Sequence, residues 1–351
     1  MRVVVVGATG NVGTSVLESL AGEGAVDEVV GIARRRPGLR MAKTSFVEAD
    51  IAEDDLEPHL RGADAVVHLA WVIQPSRDEA TLHRINVGGS ARLFDAAARA
   101  GVPAIVYASS IGAYAPGPKN RAVDESWSTA GIPSSWYSRH KSAVERILDG
   151  FEAVHPEVRV VRLRPALVFK REAASGIRRL FIGPLLPSPL LRRGLVPLLP
   201  APARGRAQAV HSKDLADAYR RAILDEDARG AYNVAAEPVL DMGEVARLLG
   251  ARTVPVPAAV IRAATDATWR AHLQPTPPGW LDLALGVPIM DTGRIRRELA
   301  WSPRRTSSEA FLELFAGLRE SAGLDTPPLA PDTGGPLRLR ELLSGVGGTS
   351  R

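Results

Sequence analysis

The sequence predicts an α/β fold: a doubly wound parallel (Rossmann) sheet with a smaller, mostly helical C-terminal lobe. Three observations carry this expectation. Short β-rich runs without period-two alternation recur at residues 3–6, 29–32, 45–47, 65–69, 104–107 and 158–163. Such continuous apolar runs belong to strands covered on both faces. Helical stretches at 13–20, 91–100 and 135–154 separate them, so right-handed crossovers between parallel strands follow. A glycine-rich turn also follows the first run directly, where a phosphate-binding fold requires one.

The texture changes after Pro165. Residues 173–206 are rich in Pro, Leu and Arg and show no clear period. A helix is expected near 214–224, a strand near 231–235, and further helices over 242–249, 258–272 and 307–320. From about Thr326 the chain is rich in Pro and Gly, with one helical patch at 337–343. This pattern divides the chain into a dinucleotide-binding domain over 1–170, to which 207–236 returns, and a substrate lobe over 171–206 and 237–325. A flexible tail is expected over 326–351.

Composition narrows the functional classes. The 351 residues are 45% hydrophobic, which suffices for a sizeable core. The absence of Cys excludes disulfides, thiolate zinc sites and a Cys nucleophile, and is compatible with a cytoplasmic location. No metal site is expected. The formal charge of +5 raises the question of nucleic acid. The arginines are scattered, however, with no basic stripe interleaved with aromatics, so they are read as solvated surface and no nucleic-acid partner is expected. Lysine is scarce: only Lys43, Lys119, Lys141, Lys170 and Lys213 occur. The apolar stretch 180–200 is broken by Pro184, Pro187, Pro189 and Pro197 and by Arg192 and Arg193, so it does not read as a membrane span. The N-terminal apolar run is too short for a signal segment.

Residues Gly7-Ala8-Thr9-Gly10-Asn11-Val12-Gly13 close the first strand and open a helix. A pyrophosphate approaching amides at the positive end of a helix leaves no room for Cβ atoms. The spacing Gly-x-x-Gly-x-x-Gly resembles that of the short-chain dehydrogenase/reductase superfamily, in particular its extended, NAD-dependent epimerase/dehydratase-like branch. The resemblance runs through most of the chain. Asp50-Ile51 resembles the adenine-contacting position, and His68-Leu69-Ala70 the fourth-strand signature. Asn86-Val87 resembles a helix-borne Asn-Val, and Arg164-Pro165 the Arg-Pro beside the nicotinamide. Residues 210–216 resemble a Val-His-x-x-Asp-x-Ala segment near the substrate, and 291–303, with Leu299 and Trp301, a C-terminal segment. Read singly, His68 and His211 are structural and Asn86 organises backbone.

The resemblance implies a cofactor set of Gly7, Thr9, Gly10, Asn11, Val12, Gly13, Asp50, Ile51, Leu69, Ala70, Tyr137, Lys141 and Pro165. Arg34 and Arg35 follow the second strand, and Ala33 stands where NAD-specific members place an acid. These two arginines suit a ribose 2′-phosphate, so NADP is the expected cofactor, with NAD the alternative.

Tyr137 and Lys141 fall at i and i+4 in a predicted helix and share one face. A free phenol, with a pKa of about 10, is poorly matched to neutral pH, and a neighbouring ammonium is expected to lower it. The fifth strand ends in Ser109-Ser110. The resemblance selects Ser110, four residues before Tyr114, as the hydroxyl that polarises the substrate oxygen, and leaves Ser109 to the strand end. Tyr137 is then the general acid/base and Lys141 its tuner and ribose ligand, while His140 points elsewhere. Ile111 and Gly112 occupy the places where sugar 4,6-dehydratases put Asp-Glu, which argues against dehydration.

The function expected is hydride transfer between a nicotinamide and the carbonyl or alcohol carbon of a small, fairly apolar substrate. Ala207 stands where nucleotide-sugar members place a diphosphate-binding Arg, though Arg204 and Arg206 lie close by. The alternatives are a nucleotide-sugar epimerase working by transient oxidation and a non-catalytic dinucleotide sensor. The resemblance also implies a homodimer.

Overall fold

Residues Arg2–Val6 form strand β1, and their side chains alternate between two cores. Val3 and Val5 enter one core and Val4 and Val6 the other, because successive strand residues point to opposite faces. A strand with two apolar faces has to be covered on both. The computed structural model describes residues 1–182 and 197–331. Six further strands continue the sheet: β2 (Glu28–Ala33), β3 (Thr44–Glu48), β4 (Ala65–His68), β5 (Ala104–Ala108), β6 (Arg159–Pro165) and β7 (Gly230–Val234). Their order is β7-β6-β5-β4-β1-β2-β3, and every pairing is parallel. The chain winds outward from β1 in one direction and resumes from β4 in the other, which opens a crevice at the carboxyl ends of β1 and β4.

Helices α1 (Asn11–Ala21), α2 (Gly89–Arg99), α3 (Trp136–Val154) and α4 (Ser212–Leu224) cover the sheet. Leu17, Leu20 and Tyr219 lie over one face, and Leu93, Phe94, Leu148 and Phe151 over the other. Trp301 closes the first core and donates its indole N–H to the Asp214 carbonyl at 2.8 Å.

Strand β6 is buried throughout, yet it carries three arginines. Arg159 donates to the carbonyls of Ala222 and Ile223 at the end of α4 (2.7 and 3.0 Å), where helix carbonyls lack partners. Arg162 and Arg164 meet Glu145 of α3 at 2.9–3.0 Å. Burial pushes the Glu145 carboxyl up, but hydrogen bonds and charge from Arg164 outweigh it and bring it down to about 2.

Three features depart from the sequence expectations. Helix α5 (Ala258–Arg270) forms as expected but contributes no residue to the core. A further helix, α6 (Gly279–Gly286), forms where none was expected. Residues 326–331, the start of the expected tail, are packed, with Thr326 and Leu329 buried. The expected patch at 337–343 and the leucines between 183 and 196 lie outside the described residues. Among the described residues no helix is long and apolar enough to cross a membrane.

Removing the carboxylate leaves the buried Arg164 guanidinium without a carboxylate, while Arg162 keeps Asp149 and Glu152, so Glu145→Ala is expected to lower the unfolding free energy by about 3–5 kcal/mol. Chemical denaturation measures this, and a loss below about 1 kcal/mol would mean that water relieves the cluster.

Candidate active site

The glycine loop divides into two kinds of position. Gly7 has φ +88°, and a Cβ there would lie 2.5 Å from the Ala70 nitrogen. A Cβ on Gly13 would lie 2.4 Å from the Gly7 carbonyl oxygen. Both glycines are therefore required by the fold, and they bring Leu69-Ala70 against the loop. Gly10 faces only one atom, the Gly7 oxygen at 3.5 Å, and its conformation is one open to any residue. It precedes α1, whose N-terminus has no side-chain cap. The first-turn amides there are suited to an anion. Asn11 donates to the Val168 carbonyl at 3.1 Å, while its Oδ1 is buried without a partner. An open glycine, an uncapped helix start and an orphaned amide oxygen fit a dinucleotide, with Thr9 and Val12 alongside. Ile51 is buried against Gly89, and Asp50 accepts the Ala52 N–H at 2.9 Å. Pro165 ends β6, buried beside Arg164. Arg34 and Arg35 are exposed and make no ion pair among the described residues.

Helix α3 begins at an N-cap, Ser135, so Tyr137 sits in its first turn and Lys141 one turn on. Ser110 accepts the Gly112 N–H at 2.9 Å, and its hydroxyl draws the Tyr137 phenol downward. Ser109 turns the other way, to Glu145. The two serines are thus separated: Ser109 meets Glu145 rather than only the strand end, and Ser110 lies on the side of Tyr137. Gly112 makes room for the phenol, since a Cβ there would lie 2.8 Å from the ring.

One electrostatic expectation is overturned. Burial pushes the Tyr137 phenol above its ordinary value, with the Ser110 hydrogen bond opposing, and Lys141 does not lower it. The Lys141 Nζ donates to the Ala108 carbonyl at 2.6 Å, lies 3.5 Å above the Trp71 ring, and stands 6.0 Å from the Tyr137 ring centre. Burial also pulls this ammonium well below its usual value, while Glu145 opposes. The phenol therefore holds its proton at neutral pH and is poised as an acid.

Several residues at the site escaped sequence reasoning. Trp280 of α6 lies 4.8 Å from the Tyr137 ring, and Trp71 and Trp136 lie 5.8 and 6.0 Å away. A Cβ on Gly279 would be 2.4 Å from the Ser134 carbonyl oxygen, so α6 docks backbone to backbone on the start of α3. Trp71 could have been found, because it follows Leu69-Ala70 directly; so could Glu145, four residues beyond Lys141. Lys170 is buried behind the glycine loop and donates to Thr14 at 2.6 Å. The other singled-out residues are structural. Asn86 holds the backbone of Val72 with two bonds of 2.8 Å. His68 is fully buried beside Ser90, and His211 accepts the Lys213 N–H at 3.1 Å. His140 faces His83 and Trp136. No cluster of three His, Asp or Glu suited to a metal occurs among the described residues.

This arrangement is that of an extended short-chain dehydrogenase/reductase. The sequence profile of the NAD dependent epimerase/dehydratase family matches residues 3–235, and the chain belongs to that family. An uncharacterized protein of Mycobacterium tuberculosis is 29% identical over 328 residues, covering 92% of this chain and 31% of its own. The chain thus spans about a third of the length of the first curated relatives it matches. A second uncharacterized protein of that organism is 28% identical, covering 90% of this chain and 83% of its own. Among solved structures, MoeE5 in complex with UDP-glucuronic acid and NAD superposes with a TM-score of 0.67 at 21% identity, covering 92% of this chain and 100% of that one. The UDP-N-acetylglucosamine 4-epimerase from Bacillus cereus gives 0.67 at 21%, covering 91% and 99%.

Tyr137→Phe is expected to lower turnover by at least about 10²-fold while the cofactor dissociation constant stays within a few-fold, the outcome for a phenol that moves a proton and a loop that holds the dinucleotide. The raised phenol gives a second signature. Reduction needs the protonated form, so its kcat/KM stays flat through neutral pH and falls only in strong alkali; oxidation rises with pH. Stopped-flow rates in both directions check the sign.

Proposed function

We propose that the protein is an NAD(P)-dependent oxidoreductase that interconverts a carbonyl and an alcohol on a fairly apolar substrate. The observation that carries this reading is the enclosure of Tyr137 by Trp71, Trp136 and Trp280. When bound, the nicotinamide supplies or accepts the hydride. Tyr137 donates its proton to the reduced oxygen, and Ser110 donates a hydrogen bond as charge develops there. Lys141 serves the ribose with donors its side chain can redirect.

The arginines near Ala207 support the same reading. Arg204 donates to the Leu285 and Gly117 carbonyls at 2.8 and 2.6 Å. Arg206 donates to the Lys119 carbonyl at 2.9 Å. Both donate to loop carbonyls, so among the described residues neither is free of the fold to serve a diphosphate outright. Asp124 and Glu125 are engaged as well, with Ser126 and with the Asn233 N–H, so neither stands in for the dehydratase acids.

A nucleotide-sugar epimerase is the second reading, favoured by the UDP-glucuronic acid and NAD of one structural neighbour and the epimerase activity in another's name. A panel of aliphatic and aromatic aldehydes and ketones, assayed beside UDP-sugars, separates the two. Turnover confined to UDP-sugars without net cofactor consumption would reverse the order. We place the protein in the cytoplasm, in keeping with its lack of cysteine, and propose a homodimer on family resemblance.

NADP(H) is the expected cofactor, because Arg34 and Arg35 are unpaired among the described residues and Ala33 offers no carboxylate to a ribose 2′-hydroxyl. The double variant Arg34→Ala, Arg35→Ala is expected to lose roughly tenfold or more in NADPH affinity with little change for NADH. Equal affinities in the parent protein, unchanged in the variant, would overturn the preference.

A further inference from the structure

Helix α5 has no buried residue, yet Ile261, Ala264, Thr265 and Thr268 fall at the i, i+3, i+4, i+7 spacing of a packed stripe. Such a stripe normally covers a core. Here it lines a cleft of about 510 Å³ whose other wall includes Phe181 and Trp280. That volume lies within the roughly 300–1,000 Å³ of small-molecule sites.

The cleft and Tyr137 share one wall residue, Trp280. Trp280 packs on Tyr137 at 4.8 Å and meets Phe181 edge-on at 4.9 Å, so one indole belongs to both spaces. Among the described residues no ionisable side chain lines the cleft. Its polar groups are engaged within its own wall. Thr265 donates to the Ile261 carbonyl at 2.9 Å, Thr268 to that of Ala264 at 2.8 Å, and Thr276 to that of Phe181 at 2.8 Å. Gln274 donates to the Thr265 and Thr276 carbonyls at 3.2 and 2.8 Å, and accepts the Thr276 N–H. A charged or strongly polar ligand would give up water here for nothing. A hydrocarbon gains by every methylene it buries.

We propose that this cleft is the subsite for the substrate's apolar body, an uncharged hydrocarbon chain whose carbonyl or alcohol end reaches Tyr137. The proposal rests on the hydride-transfer reading and adds the substrate class to it. A nucleotide diphosphate has no counterpart in this wall. On this reading the α5 stripe faces the ligand, since among the described residues none of it is buried in a core.

The test is a series of unbranched aldehydes from butanal to dodecanal, reduced with NADPH and with NADH, beside calorimetric binding of dodecanol. The expected kcat/KM rises about three- to fourfold per methylene until the cleft is full. Ala264→Trp narrows the cleft from an exposed helix position, and is expected to reduce the dodecanal-to-butanal ratio and dodecanol affinity by roughly tenfold or more. Ala263→Trp, on the same helix but outside the cleft, is expected to keep both. Turnover independent of chain length would overturn the subsite and leave the hydride-transfer reading intact. Dodecanol binding that is weakened in Ala264→Trp alone, with no aldehyde reduced, would keep the subsite and sink that reading. Absence of dodecanol binding, or equal effects of the two variants, would overturn the subsite.

Discussion

Helix α3 carries Tyr137, Lys141 and Glu145 at successive i, i+4 positions, and the third of these fixes where the first two stand. Glu145 is 1% exposed. It receives Arg162 and Arg164 from β6 and Ser109 from the end of β5. The carboxylate thus joins α3 to two adjacent strands at their carboxyl ends. Breaking such a pair leaves buried charge uncompensated, so the geometry is held stiffly. Ser110 follows Ser109 directly and inherits that placement. Arg164 extends the network to Tyr114 at 3.1 Å, and Tyr114 to Asn233 on β7 at 2.6 Å. The position of a hydroxyl group at the site is therefore set by charges a turn or more away from it.

The glycine loop shows a second division of labour. Gly7 and Gly13 serve the fold, because a Cβ on either would overlap backbone. Gly10 has no such internal reason to be glycine, and it lies at the uncapped start of α1. A glycine the protein does not need for itself is best explained by something that approaches from outside. The motif is thus partly a packing device and partly an approach path, and the loop after β4 is drawn to it by the packing half.

Most of the sheet was legible because its strands are apolar on both faces, as Val3 to Val6 already show. Strand β6 was legible as a strand but not as the seat of an ion network, since Glu145 and Arg164 meet only through the fold. Helix α6 was hidden by Pro275, Pro277 and Pro278 before it, residues that ordinarily mark a loop and here precede a helix start. With α6 went Trp280, which sequence places far from Tyr137. Tyr137 and Lys141 were singled out by their i, i+4 spacing, and Ser110 by the family resemblance. The direction of the phenol's shift was not, because i, i+4 places two side chains on one face without fixing where the ammonium points. Burial, and the rival attractions of Ala108 and Trp71, decided that.

The chain's use of lysine follows the same physics. Lys119, Lys141 and Lys170 are buried, whereas Lys43 and Lys213 are exposed. Burial draws Lys119 and Lys170 down to about 8 and Lys141 well below its usual value. The buried arginines of β6 stay charged and so need carboxylates or helix carbonyls. A buried lysine can relinquish its charge instead. At the site, burial acts on both proton-bearing groups in one direction, favouring the neutral phenol and weakening the ammonium. The surroundings that do this are indole rings, with the carboxylate of Glu145 already engaged by two arginines. Surroundings that so disfavour charge on the protein's own groups disfavour it equally on whatever group a ligand places beside Tyr137.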